Sequence, residues 1–236
     1  MKAILLLSCF LLLQCMETNK INQKILSELN EKNIIGYFIR NQKLTRTEPY
    51  KIYEFKVINL LQPNRSLISG KISTSPLFEL DVIYFILITE RENHSHKVLF
   101  SFLKDSVKGL NFEFLNLNND TYDELLLYYD LSGNGYTETY SEIYEGISYQ
   151  KVFETPMEYS AKDTLFKNQL SFQNGKNSFK DIFLYSKFKT KTCNVFTAEG
   201  CGKFSSHIFR YTKQLDEYTL KDQKDRDLYY GIFQDD

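Results

Sequence analysis

A mainly β fold of antiparallel sheets with one short N-terminal helix is what this sequence predicts, and three observations carry the prediction. Aromatic residues make up 15% of the 236-residue chain, all of them Phe or Tyr, a weighting that favours strands. Short apolar or alternating runs recur along the length, separated by polar residues. With ten Gly and four Pro in total, little chain is left for low-complexity linkers.

The helix is expected over residues 20–32, where Ile21, Ile25, Leu26 and Leu29 recur at helical spacing among Lys, Glu, Asn and Gln. Strands follow. Tyr53, Phe55 and Val57 alternate with Glu54 and Lys56, and residues 82–88 form an unbroken apolar run suited to a strand buried on both faces. Further strands are expected at 98–102, 112–115, 125–129, 136–144, 182–188, 205–211 and 229–233. Ser132-Gly133-Asn134-Gly135 reads as a hairpin turn between two of them. It lacks the Lys and Ser/Thr that would make a phosphate loop.

Three segments share an order of acid, three mostly aliphatic or aromatic residues, then an aromatic, beginning at Asp81, Glu124 and Asp181. After the last two, Ser141-Glu142-Ile143-Tyr144 and Ser206-His207-Ile208-Phe209 read as returning strands. The spacing is irregular but near the roughly 40–50 residues of a propeller blade, so blade-like units are one expectation and convergent strand composition the other.

Hydrophobic residues at 42% and charged residues at 25% describe an ordinary globular chain, which excludes wholesale disorder. A net charge of -1, with Lys and Arg spread along the whole length, provides no continuous basic surface, so nucleic acid is not an expected partner. Length permits one good-sized core or two. The organisation expected is a leader over 1–14, a tether and helix over 15–34, and a single β-rich domain over 35–236.

Met1 and Lys2 open the leader, and the apolar run from Ala3 to Leu13 has the length of a signal h-region, well short of the ~20 residues of a spanning helix. No A-x-A-like pair of small residues follows it. Leu12-Leu13-Gln14-Cys15 resembles a bacterial lipobox, in its relaxed spirochaete form, in which the cysteine receives lipid and becomes the first residue after cleavage. Leu6-Leu7-Ser8-Cys9 matches the motif too, but leaves too little h-region ahead of it. The resemblance implies lipidation at Cys15 and attachment to a membrane of the cell envelope, on the periplasmic face or the cell surface. Acyl chains contribute about 0.8 kcal/mol per buried methylene.

Cys193 and Cys201 are then the two cysteines of the mature chain. In an oxidising compartment they are expected to bridge, closing a hairpin-like loop; free buried thiols and a metal clip are the alternatives. His207 is the nearest histidine, and no CxxC spacing accompanies it. His94 and His96 could begin a metal site on one strand face, but the polar turn Glu90 to His96 is the simpler placement.

One segment could carry ion chemistry. Asn116, Asn118, Asp120 and Glu124 place side-chain oxygens at positions 1, 3, 5 and 9 of a run that leads into an apolar strand, with the backbone carbonyl of Tyr122 at position 7. This run resembles the calcium loop of FG-GAP and VCBS-type repeats, D-x-[ND]-x-D-G-x-x-D before a strand. The resemblance implies weak calcium binding by those five residues, since Asn116 and Thr121 stand where that family has Asp and Gly. The other reading is a turn rich in Asn and Asp, stabilised by side-chain to backbone hydrogen bonds.

Function divides into two classes. One is a non-enzymatic envelope lipoprotein that binds a protein or glycan partner or supports the envelope. The alternative is an envelope hydrolase or carbohydrate-active domain with Asp120, Asp123 or Glu124 in the chemistry. No nucleophile paired with a base is visible.

Overall fold

The structure, a computed structural model, describes residues 25–46, 48–74, 82–105, 107–133, 135–160, 164–175, 179–190, 202–212, 215 and 217–221. Cys15, Cys193, Cys201 and the strand expected at 229–233 lie outside the described residues. By contact the chain divides into two compact units, 1–106 and 107–236, where the sequence reading has one domain over 35–236. Each unit has its own antiparallel sheet and hydrophobic cluster. The mainly β class is as expected.

In the first unit the strands are β1 (Ile25–Leu26), β2 (Lys51–Asn59), β3 (Arg65–Ser73), β4 (Ile83–Glu92) and β5 (Ser95–Lys104), in the order β1-β5-β4-β3-β2. The helix α1 spans Glu31–Arg40, which corrects the expectation of a helix over 20–32. Its start is set by Asn30, whose Oδ1 accepts from the Asn33 amide at 3.0 Å, with Glu31 in the first turn and Arg40 in the last complementing the dipole. Ile34, Tyr37 and Phe38 form the buried face. Ile25 and Leu26, read as helical from their spacing, instead pair with Lys97 and His96 of β5, so a ladder partner distant in sequence overrides the local period.

Residues Phe85 to Ile88 of β4 are all fully buried, as the unbroken apolar run implied. Phe85 and Leu87 join the cluster built on Ile34, Phe38, Ile68 and Ile72, while Ile86 and Ile88 point to the opposite face. Gly70 lies opposite Phe85 in the β3–β4 register, and a Cβ there would sit 2.8 Å from the Phe85 ring and 3.2 Å from the Tyr53 carbonyl. The neighbouring edge strand bulges between Tyr53 and Lys56, with Glu54 at φ 53°. The polar turn expected at Glu90 to His96 is a hairpin closed by the Glu92–Ser95 pair, with Asn93 at φ 55°. His96 lies in β5.

The second unit is a meander: β6 (Val107–Leu115), β7 (Glu124–Gly133), β8 (Tyr136–Tyr144), β9 (Lys151–Ser160), β10 (Thr164–Asn174), β11 (Lys180–Thr190), β12 (Gly202–Thr212) and β13 (Glu217–Leu220) lie side by side in chain order. The expected hairpin turn joins β7 to β8 beyond the Gly133–Tyr136 pair, with Gly135 at φ 89°. This sheet curls into a half-barrel. Phe153 of β9 packs edge-on against Phe209 of β12 at 4.9 Å and Tyr218 of β13 at 6.1 Å, and the Lys180 amide opening β11 donates to the carbonyl of Leu117 just past β6 at 2.6 Å. One continuous sheet therefore stands where blade-like units were one of two expectations.

The internal similarity keeps register but not face. Tyr128 pairs with Ser141 as Tyr185 pairs with Ser206. Yet Leu126 enters the core in the first hairpin, whereas Ile182 and Leu184, which align with Leu125 and Leu127, enter it in the second. Leu125, Leu126 and Leu127 are all fully buried, so composition on β7 does not record which face is inward.

Candidate functional site

The Asn116 to Glu124 run connects β6 to β7, and its ends are fixed by the core. Leu117 is buried in the half-barrel cluster, and its carbonyl takes the Lys180 amide; the Lys180 Nζ donates to the Asn116 carbonyl at 2.7 Å. Tyr218 Oη in turn donates to the Lys180 carbonyl at 2.9 Å. The loop is thus tied to β11 and β13, strands far along the chain.

Between those anchors the loop binds itself. Asn116 Oδ1 accepts the Asn119 amide at 2.9 Å, Asn118 Oδ1 the Asp120 amide at 3.0 Å, and Asp120 Oδ1 the Tyr122 amide at 2.6 Å. Asn116 Nδ2 donates to the Asp120 carbonyl at 2.9 Å and Asn118 Nδ2 to Asp120 Oδ2 at 2.7 Å. Asn119 takes the left-handed conformation at φ 60°. Apart from the Asn118–Asp120 side-chain pair, these are the side-chain to backbone bonds of an Asn/Asp turn. Opposite them Gly146 lies so close that a Cβ would stand 2.8 Å from the Tyr122 carbonyl oxygen and 2.6 Å from that of Asp123.

Glu124 differs from the rest. It is 1% exposed; Oε2 accepts the Leu117 amide at 2.8 Å, and Oε1 is buried with no hydrogen-bond partner. Burial pushes its carboxyl up to about 7, the Leu117 amide opposing and the charges of Asp120 and Glu145 adding to the rise. A carboxyl in this setting takes up a proton near neutral pH.

The loop's donors are oxygens, which suits a hard cation, and Asp120 and the Glu124 Oε1 supply charge. Against that, the Lys180 ammonium occupies the Asn116 carbonyl, and four of the side-chain oxygens already accept amides. Among the described residues no group of three or more His, Cys, Asp or Glu is gathered closely enough to hold a metal. His94 sits in the β4–β5 turn, and burial, with Arg91 across the ladder, lowers the affinity of His96 for a proton.

A second polar cluster lies on β7, β8 and β9. Glu142, 6% exposed, accepts from Tyr129 Oη at 3.0 Å and from Tyr144 Oη, with Lys151 Nζ 3.6 Å away and Lys151 also bonded to Glu154. Tyr129 stacks on Tyr140 at 5.8 Å. Burial first, then Glu142, raises the Tyr129 and Tyr144 phenols well above their usual range, so both stay donors. The sequence reading missed this cluster. Its legible part is Tyr140-x-Glu142-x-Tyr144, alternate positions that share one strand face; Tyr129 and Lys151 arrive only through pairing.

No protein-family model, curated protein or solved structure matches this chain.

Proposed function

We propose that this protein is a non-enzymatic lipoprotein of the bacterial cell envelope, anchored through lipid on Cys15, whose β sheets bind a protein or glycan partner. The observation that carries the reading is the leader, a short apolar run ending in Leu12-Leu13-Gln14-Cys15. No helix among the described residues is long and apolar enough to cross a membrane. Labelling with a clickable fatty acid tests the anchor. The wild type should be marked and Cys15→Ser should not; equal labelling of the two discards the assignment.

The loop from Asn116 to Glu124 contributes a weak calcium site within this reading. Asn116, Asn118, Asp120, the Tyr122 carbonyl and Glu124 would hold the ion, and it would supply a positive charge beside a buried carboxyl. What supports this is the unpartnered Oε1 of Glu124 together with the spacing of oxygen-bearing residues that resembles a calcium loop.

A further inference from the structure

The half-barrel has one weak seam. β10 pairs with β11 along its whole length, from Thr164 to Asn174, but with β9 only through Leu165, Phe166 and Lys167 against Ser160, Tyr159 and Glu158. The strands part at a bulge. Pro156 pairs with Tyr140 and Glu158 with Thr139, so Met157 is an inserted residue, and Pro156 has no amide to give a ladder. Where the ladder stops, a side chain takes over: Asn168 Nδ2 donates to the Pro156 carbonyl at 2.7 Å.

A row of polar side chains crosses the inner face at the same level. Ser141 of β8 pairs with Thr155 of β9, and Asn168 of β10 pairs with Ser186 of β11. They share a face with Ile143, Phe153, Leu170 and Leu184 of the core cluster. Ser141 is 0% exposed, Asn168 4% and Ser186 2%, and Ser141 Oγ, Asn168 Oδ1 and Ser186 Oγ have no hydrogen-bond partner. Buried polar groups are nearly always paired, so three orphans beside one seam require a reason.

We propose that the β9–β10 seam is a built-in opening line, at which β9 and β10 part locally around Pro156 and Asn168 and wet this row while the core cluster stays packed. In the closed state few ladder bonds hold the strands, and the orphaned groups penalise closure; in the open state water satisfies all three. The exposed Lys167–Glu158 ion pair, 3.3 Å across the short ladder, sits at the position where a clasp would act.

Thiol labelling of the full-length protein, read at each site by peptide mass, tests this. Ser141→Cys and Ser186→Cys place a near-isosteric thiol on the row, and Leu126→Cys places one in the core away from the seam. Labelling at 141 and 186 is expected at least tenfold faster than at 126. Adding a disulfide between Glu158→Cys and Lys167→Cys should slow those two positions to the rate at 126, and reduction should restore the difference. Equal rates at all three sites, or rates indifferent to the disulfide, would overturn the proposal. Should Leu126→Cys fail to fold, the response to oxidation and reduction decides alone.

Discussion

Glu124 Oε2 accepts the amide of Leu117 at 2.8 Å, so the residue that opens β7 holds the first buried residue of the loop before it. This bond fixes both ends of the loop on one carboxyl. The same carboxyl has its other oxygen buried without a partner, which gives the loop a titratable lock.

A pH dependence follows from that lock. In the absence of divalent cation, the native carboxyl titrates at about 7 against 4.5 for the free group, so between those values the folded state holds a proton the unfolded state has lost. Stability from this group is therefore complete below pH 4.5 and falls as pH rises through about 7, by roughly 3 kcal/mol in all. Urea unfolding at a series of pH values in EDTA should show the fall, and Glu124→Gln should flatten it. A wild-type curve parallel to that of Glu124→Gln refutes the lock.

Calcium should oppose that loss. A ligand confined to the native state stabilises it by about 2.7 kcal/mol at a hundred times its Kd. The thermal midpoint is expected to rise saturably with calcium at pH 8, less at pH 5.5 where the proton competes, and not at all in Asp120→Ala. A midpoint unmoved by calcium at either pH leaves the loop as a self-bonded turn.

Gly146→Ala should disturb the loop from outside it. The new methyl would sit within 2.8 Å of the Tyr122 and Asp123 carbonyl oxygens, and both belong to backbone. A loss of about 1–3 kcal/mol is expected, with faster amide exchange across 116–123. Wild-type exchange in that segment would show the fit to be looser than the geometry implies.

In the first unit, Gly70→Ala places a methyl 2.8 Å from the Phe85 ring, and Phe85 is fully buried. Overpacking of this kind costs about 1–3 kcal/mol. Because the obstruction is the ring, the double variant Gly70→Ala/Phe85→Leu should lose less than the sum of the two single variants. Strict additivity in denaturant unfolding would place the strain elsewhere.

Much of the fold was legible because its signals are local. The run at 82–88, the alternation around Phe55 and the turn at Ser132 to Gly135 each became the element expected of them. The strands at Arg65–Ser73, Lys151–Ser160 and Thr164–Asn174 were not foreseen, since Gly70, Pro156 and a scatter of Lys, Glu and Asn break their apolar pattern. Those residues are tolerated for tertiary reasons: Gly70 clears the Phe85 ring, Pro156 sits where the β9–β10 ladder ends, and Asn168 replaces a ladder bond there. In the loop, the oxygen-bearing positions could be read off the chain, but the partners that matter, Lys180, Gly146 and Tyr218, arrive from β11, the turn after β8 and β13.

The sequence by itself determined that this is an antiparallel, mainly β protein, because alternation and aromatic content act within a few residues. Tertiary structure alone decided that Ile25 and Leu26 join a sheet, which face of β7 is inward and what Glu124 does. A helix and an edge strand compete for Ile25 and Leu26 until β5 supplies the ladder partner. A carboxylate on a polar turn becomes a buried, half-satisfied acid only once the curled sheet closes water away from it.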